Sequence, residues 1–225
     1  MAKKKKKRVL KVKNIIILLC VFGIFVGGCY YILSMPIKNI YISGNNNVSD
    51  EEILTLLELD EYPSFLLYNK SNVEKNIINN KYINDISIDK KIGNIVQVEV
   101  VENSIIALDL DGRVILSNGD VVYNKYNVLD VPRLMSHIDN DKIIEFARKF
   151  SNINNDILRQ ISEVEYSPLL VDSDRFLLYM CDGNFVYVTL TKIDKLNKYN
   201  DIKDELIDKK GIIYLDSGDY VEIKG

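Results

Sequence analysis

The feature that most limits what this chain can become is Ile15–Leu33, nineteen residues reading IIILLCVFGIFVGGCYYIL without a single charge. At a helical rise of roughly 1.5 Å per residue it extends about 28 Å, close to the ~30 Å hydrocarbon thickness of a bilayer. A buried core helix of this length would show a polar face, and this one has none, so the run is read as a membrane span. Tyr30 and Tyr31 near its end suit an interfacial belt. Ahead of it, MAKKKKKRVLKVK carries eight cations and no acid. Without those eight, 21 of the 29 Lys and Arg remain against 32 Asp and Glu, leaving the rest of the chain near −11. Cations on one side only predict an N-terminus in the cytoplasm and a body outside. The acidic body argues against nucleic acid as a partner.

Val26-Gly27-Gly28-Cys29 carries an alternative. It fits the site at which a signal peptide is cut before a lipidated cysteine, which would make the chain an envelope binding protein for a small ligand, anchored at Cys29. The apolar run continuing through Tyr30-Tyr31-Ile32-Leu33 favours an uncleaved span. Mass spectrometry of the mature N-terminus separates the two. Cys181 is the one cysteine beyond the run, so no intramolecular disulfide is available there and no metal-ligand spacing exists.

Beyond Pro36, which ends the span, IKNIYIS alternates like a strand. Gly44 and Asn45–Asn47 supply turn chemistry, and Ser49 with Glu52 forms a capping box ahead of a helix with Ile53, Leu54 and Leu57 on its apolar side. Ser71 with Glu74 predicts a second helix, with Val73, Ile77 and Ile78 on one face. Two strands follow: one places Ile86 and Ile88 together, the next Val96, Val98 and Val100, around a Gly93-Asn94 turn. Strand, helix, helix, strand, strand within some 65 residues describes two helices on one face of a small sheet.

The remainder reads as strands with interspersed helices. Asp111-Gly112 and Asn118-Gly119 mark tight turns. Lys142–Phe150 predicts a helix with Ile143, Ile144 and Ala147 inward. A short helical turn near Ile157–Ile161 precedes a strand at Val164–Tyr166. RFLLYMCDGNFVYVTL predicts a hairpin around Asp182-Gly183-Asn184. Thr191 and Asp194 predict the start of a helix carrying Ile193, Leu196, Ile202 and Leu206. GIIYLDSGDYVEIKG closes the chain as strand, turn, strand, with Val221 and Ile223 toward the core and Tyr220, Glu222 and Lys224 outward.

Catalytic constellations are hard to find. The sole histidine, His137, lies in a loop with no nucleophile elbow anywhere in the chain. Cys181 reads as a small packed hydrophobe. Asp139 with Asp141, and Asp216 with Asp219, match no cation-binding loop and suit turns and caps. No phosphate loop or dinucleotide fingerprint occurs. The residues point to no enzyme, cofactor or metal. A strand at the end of the chain could instead leave an open sheet edge for another chain.

Taken together, a basic tip, one span, then IKNIYISGNNNVSDEEI, FLLYNKSNVEKNIINNKYINDISIDKK and IVQVEVVENSIIAL resemble the bacterial cell-division family FtsQ, called DivIB in Gram-positive organisms. DLDGRVI, VPRL, KIDKLN and IIYLDSGDYV extend the resemblance, in order, over nearly the whole chain. Three departures stand out: Asn103 follows Glu102 where the family often has a basic residue, Lys91-Ile92-Gly93 replaces a common Trp-Pro, and Thr191 follows Leu190 where a glycine is frequent. The resemblance implies an α+β chain. It divides into a basic tip (1–14), a transmembrane helix (15–33), a POTRA domain (36–103) and a mixed α/β second domain with a C-terminal strand (104–225). It implies a non-enzymatic scaffold at the septum that binds FtsL and FtsB/DivIC-type proteins and helps regulate septal peptidoglycan synthesis, with no cofactor. It implies an FtsB/DivIC-binding region at Tyr214, Leu215, Ser217, Gly218, Tyr220 and Val221, and contacts with other membrane division proteins at Ile40, Gly44 and Asn45.

Overall fold

The computed structural model describes residues 12–206 and 209–223; most of the basic tip and the final Lys224-Gly225 lie outside the described residues. The first element is α1 (Val12–Leu33), 22 residues with none buried. About 33 Å long, it is long and apolar enough to cross a bilayer and begins three residues earlier than the uncharged run. It fits the anchor of a single-pass membrane protein.

The described residues form two compact units, one lying within 1–45, 49–78 and 86–100, the other within 46–48, 79–85 and 101–225. The first continues with β1 (Asn39–Ser43), α2 (Asp50–Leu56), a 3₁₀ turn at Lys70–Asn72 and α3 (Glu74–Asn79). Strands β2 (Ile83–Lys91) and β3 (Ile95–Glu102) complete a sheet of order β1-β3-β2, with β1 parallel to β3. Ser49 caps α2 as its spacing predicts, accepting the Glu52 amide at 3.2 Å. Ile53 and Leu57 of that helix region and Ile86, Val96, Val98 and Val100 of the strands are buried. Gly44 is obligatory. It sits at φ +86°, and a Cβ there would lie 2.3 Å from the Val100 carbonyl oxygen.

The second unit is built on a nine-stranded sheet, ordered β12-β11-β10-β9-β8-β7-β4-β5-β6. Its strands are β4 (Ile105–Leu108), β5 (Val114–Leu116), β6 (Val121–Val122), β7 (Arg133–Leu134), β8 (Ile161–Tyr166), β9 (Arg175–Met180), β10 (Phe185–Thr189), β11 (Gly211–Tyr214) and β12 (Tyr220–Ile223). Helices α4 (Asn140–Phe150), α5 (Asn155–Leu158) and α6 (Tyr199–Glu205), with a 3₁₀ helix at Leu190–Lys198, supply the rest of the core. Phe146, Phe150 and Phe176 meet at its centre. Gly119 (φ +89°) would place a Cβ 2.8 Å from the Ile144 backbone, so glycine lets α4 approach the β5–β6 turn.

Several local expectations are corrected. Ser71 lies inside the 3₁₀ turn, and Asn69 is the cap, accepting the Ser71 amide at 3.2 Å. Ile78 is exposed because α3 is only six residues long, and Val73 and Ile77, one turn apart, use its inner face. In α4 the inward set is Ile143, Phe146, Ala147 and Phe150, at helical spacing, and Ile144 falls outside it. Thr191 and Asp194 cap no helix. Leu190, Ile193, Leu196 and Tyr199 recur every three residues and are buried, which matches the 3.0-residue turn of a 3₁₀ helix. Cys181 is exposed, since Met180 before it takes the inward position. Ile223 is half exposed at the strand end, opposite Gly211, which offers it no side chain.

Candidate partner-binding edge

The C-terminal strand β12 pairs antiparallel with β11 and, as the first strand in the sheet order, has no neighbour on its other side among the described residues. Its position depends on how β11 is placed. The β10–β11 pair is parallel, so the chain must cross over between them, through the 3₁₀ helix and α6. Tyr199, fully buried at the start of α6, ties that crossover to the β9–β10 turn. Its hydroxyl bonds both Asp182 carboxylate oxygens at 2.9 Å and accepts the Asn184 side-chain amide at 3.0 Å. Burial, with the Asp182 charge adding to it, pushes the Tyr199 phenol well above its usual range. Asn184 Oδ1 in turn accepts the Gly211 amide at 2.9 Å, which fixes the first residue of β11.

The five residues between β11 and β12 are clamped from several sides. Asp216 pairs with Arg175 of β9 at 2.7 Å, with side chains only 7% and 11% exposed. Its other carboxylate oxygen accepts the Ser217 hydroxyl at 3.1 Å, and its backbone carbonyl accepts the Lys192 ammonium. Lys195 reaches both carboxylate oxygens of Asp219 at 2.6 Å. Asp219, at φ +55°, takes the left-handed position in this turn, although a glycine, Gly218, stands next to it. The edge is therefore held in place rather than trailing.

Strand register adds a row of aromatic rings. Tyr187 pairs with Tyr214 across β10–β11, and Tyr214 with Tyr220 across β11–β12, so the three share one face. The Arg175 guanidinium lies 3.6 Å over the Tyr187 ring, Tyr187 and Tyr214 stack at 5.3 Å, and Tyr214 and Tyr220 at 4.5 Å. Tyr214 donates to Glu222 at 3.2 Å, and desolvation together with that carboxylate raises its phenol pKa. Tyr220, half exposed, ends the row at the open edge.

Of the six residues expected here, Ser217, Gly218 and Tyr220 are exposed and Tyr214 is half-buried in the row. Val221 packs against the core beneath, and Leu215 is buried, donating its amide to Tyr187 O at 2.8 Å. Leu215 and Val221 seat the edge; the other four face outward. The sequence reading places Glu222 facing outward but gives it no role, and it does not single out Arg175, Tyr187, Lys192 or Lys195. Tyrosines alternating through FVYVT, IIYL and YVEI were the signal that could have found the row. Ile40, Gly44 and Asn45 belong to the other unit. Ile40 and Gly44 lie on or just beyond β1, the edge strand of the three-stranded sheet, and the Asn45 side chain bonds Asp50 at 2.8 Å. Cys29 lies within the continuous α1, and His137 is exposed in a loop.

An apolar N-terminal helix, a small β-α-α-β-β unit and a larger mixed α/β unit ending in an open edge define a single-pass protein built to present folded domains beside a membrane. The FtsQ-type POTRA domain family matches residues 35–103. The DivIB cell division protein of Bacillus subtilis is 32% identical over 193 residues, covering 83% of this chain and 73% of the relative. That of Geobacillus kaustophilus is 29% identical over 227 residues, covering 96% and 87%. The chain belongs to the DivIB family of cell division proteins. The solved major extracytoplasmic domain of Geobacillus stearothermophilus DivIB, in its trans isomer, is 29% identical with a TM-score of 0.41, covering 47% of this chain and 95% of that one.

Proposed function

We propose that this protein is a non-enzymatic divisome scaffold, anchored by α1 with its N-terminus in the cytoplasm and its body outside. It binds FtsL and FtsB/DivIC-type bitopic proteins and through them helps regulate septal peptidoglycan synthesis. The division into a POTRA domain at 36–103 and a partner-binding domain at 104–225 is part of the same proposal. Family membership supports the role in division. The observation that carries the mode of binding is the outer edge of β12, which has no strand neighbour among the described residues and is bordered by Ser217, Gly218 and Tyr220. An incoming strand would gain main-chain hydrogen bonds along that edge and aromatic contact from Tyr220 and Tyr214. The edge is already ordered by Arg175, Lys192 and Lys195, which lowers the entropy cost of binding. A second set of contacts, to other septal membrane proteins, is placed at Ile40, Gly44 and Asn45.

Deleting Tyr220–Gly225 should abolish co-purification of the DivIC-type partner while membrane insertion persists, and Tyr220→Ala should weaken it. Undiminished capture after the deletion would refute the assignment of the edge. A tagged chain should gather at midcell in dividing cells; uniform membrane fluorescence would refute the septal role.

A further inference from the structure

The first unit carries apolar side chains that its own core does not use, and they sit beside the end of α1. The segment Tyr62–Tyr68, YPSFLLY, leaves Leu66 49% and Leu67 65% exposed, with Tyr62 at 49%. Hydrogen bonds fix it to the chain as it leaves α1. Ser64 Oγ donates to Leu33 O, the Phe65 amide donates to Met35 O at 2.9 Å, and the Ile37 amide donates to Pro63 O at 3.0 Å. On the other side of the same linker, Asn94 in the β2–β3 turn donates from its side chain to Pro36 O at 3.0 Å, and its carbonyl accepts the Lys38 amide at 2.8 Å. That turn carries Ile92, which is 100% exposed. Two apolar tips therefore flank the linker, each within a few residues of a hydrogen bond to the chain between Leu33 and Lys38.

Neither tip is loosely held. Lys90 donates to Tyr68 O at 2.7 Å with its ammonium 5.4 Å from the Phe65 ring centre, and Tyr68 OH donates to Leu57 O at 3.0 Å. Partial burial, reinforced by the Glu58 charge, pushes the Tyr68 phenol up to about 12, so it stays a donor at any physiological pH. The loop presents Leu66 and Leu67 from a fixed backbone. Apolar side chains of this size are stabilised wherever water is excluded from them, and a bilayer is the apolar medium next to the last turn of a spanning helix.

We infer that Tyr62, Leu66, Leu67 and Ile92 dock into the outer leaflet of the membrane, seating the first unit on the lipid surface. The inference rests on reading α1 as a membrane span. Tyr62 suits the headgroup level, where aromatic rings with a polar tip concentrate. Exposed Lys38 and Lys91 border the tips and can direct their ammonium groups to lipid phosphates. Asp89 pairs with Lys91 at 3.3 Å, and exposed Asp60 and Glu61 precede Tyr62. These acids limit the depth to the interface between headgroups and acyl chains. Docking at two points beside the linker would hold β1 at one orientation to the membrane plane.

The chain contains no tryptophan, so one introduced tryptophan reports on its own surroundings. Full-length Leu67→Trp, Ile92→Trp and Glu99→Trp proteins would each be reconstituted alone into phosphatidylcholine–phosphatidylglycerol vesicles, with and without dibrominated acyl chains. Glu99 is an exposed residue of β3, four positions beyond Ile95, and serves as the reference. Flotation reads the span; emission reads the docking. The expected result is that all three proteins float with the vesicles, and that Leu67→Trp and Ile92→Trp emit at shorter wavelength than Glu99→Trp, lose most of their intensity to brominated lipid and resist acrylamide several-fold better. Floating protein with both tryptophans as open to acrylamide as the reference would overturn the docking and leave the span intact. Protein that fails to float would overturn the span and the docking with it. No other protein is in the vesicle, so a face reserved for a protein partner gives the acrylamide-accessible result.

Discussion

Replacing Asp216 with asparagine tests whether the edge strand is held by charge. The Asp216–Arg175 pair spans 2.7 Å with both side chains nearly buried. At an effective dielectric constant of about 20 and a charge separation near 4 Å, the attraction is roughly 4 kcal/mol. Removing both charges from water consumes much of that, so the intact pair adds little net stability. Breaking it is different. The asparagine side chain keeps the shape and an acceptor oxygen but removes the negative charge opposite Arg175, whose guanidinium also lies 3.6 Å over the Tyr187 ring, a loss of about 3 kcal/mol. For a chain of this size that corresponds to a melting temperature lower by roughly 9 °C. The assay is thermal unfolding of the full chain in detergent micelles, followed by near-ultraviolet circular dichroism. Adding Arg175→Met should recover part of the loss, with a coupling of about 1.5 kcal/mol or more in the double-mutant cycle. Hydrogen exchange should quicken at the β12 amides in Asp216→Asn, because the turn leading into that strand loses its clamp. A shift below about 2 °C, or strictly additive costs, would refute the reasoning and leave the edge held by packing alone.

Three other outcomes follow from single contacts. Gly44→Ala, with a Cβ at 2.3 Å from Val100 O, should cost upward of about 2 kcal/mol in the melting of the first unit, whereas Gly112→Ala, at φ +76° with open space around it, should cost only about 1 kcal/mol. Glu102 accepts the backbone amides of Asn46, Asn47 and Val48 at 2.8 to 3.0 Å, so Glu102→Gln should cost about 2 kcal/mol by denaturant titration. Lys142 holds the Asp174 carboxyl below its usual 3.8 against an opposing burial effect. For Asp182 burial pushes upward, but the hydrogen bonds from Asn184 and Tyr199, with Lys203, outweigh it and lower the pKa. Lowered folded-state values mean stability that is complete above the ordinary carboxylate range and lost as pH falls through the depressed ones. Melting temperature should therefore hold down to about pH 5 and drop below about pH 4, and carboxyl NMR should show Asp174 titrating higher in Lys142→Met.

What could be read from the sequence was whatever a short window contains. The charge-free run, the Ser49 cap, the alternation through Val96, Val98 and Val100, and the Asp182-Gly183-Asn184 turn each state their structure within a few residues. The misreadings share a cause in competing periods. Leu190, Ile193, Leu196 and Tyr199 fit a repeat of three, yet a nearby 3.6-residue pattern exists, and only burial decides between them. Glu102 reaching back more than fifty residues to the asparagine loop has no local signature at all.

The candidate edge sits between these extremes. Strand, turn, strand at the C-terminus was legible, and whether β12 lay inside the sheet or at its rim was not. That depends on the crossover from β10 to β11. A parallel pair needs a connection long enough to return along the sheet, and here the 3₁₀ helix and α6 provide it on the core face. Once β11 is placed parallel beside β10, a five-residue turn can only fold the chain back alongside β11, on the side β10 does not occupy. The same placement brings Tyr187, Tyr214 and Tyr220 into register. The open edge and the aromatic row are thus two results of one topological step, and a substitution that shifts the crossover, such as Tyr199→Phe with its lost bonds to Asp182 and Asn184, should disturb both together.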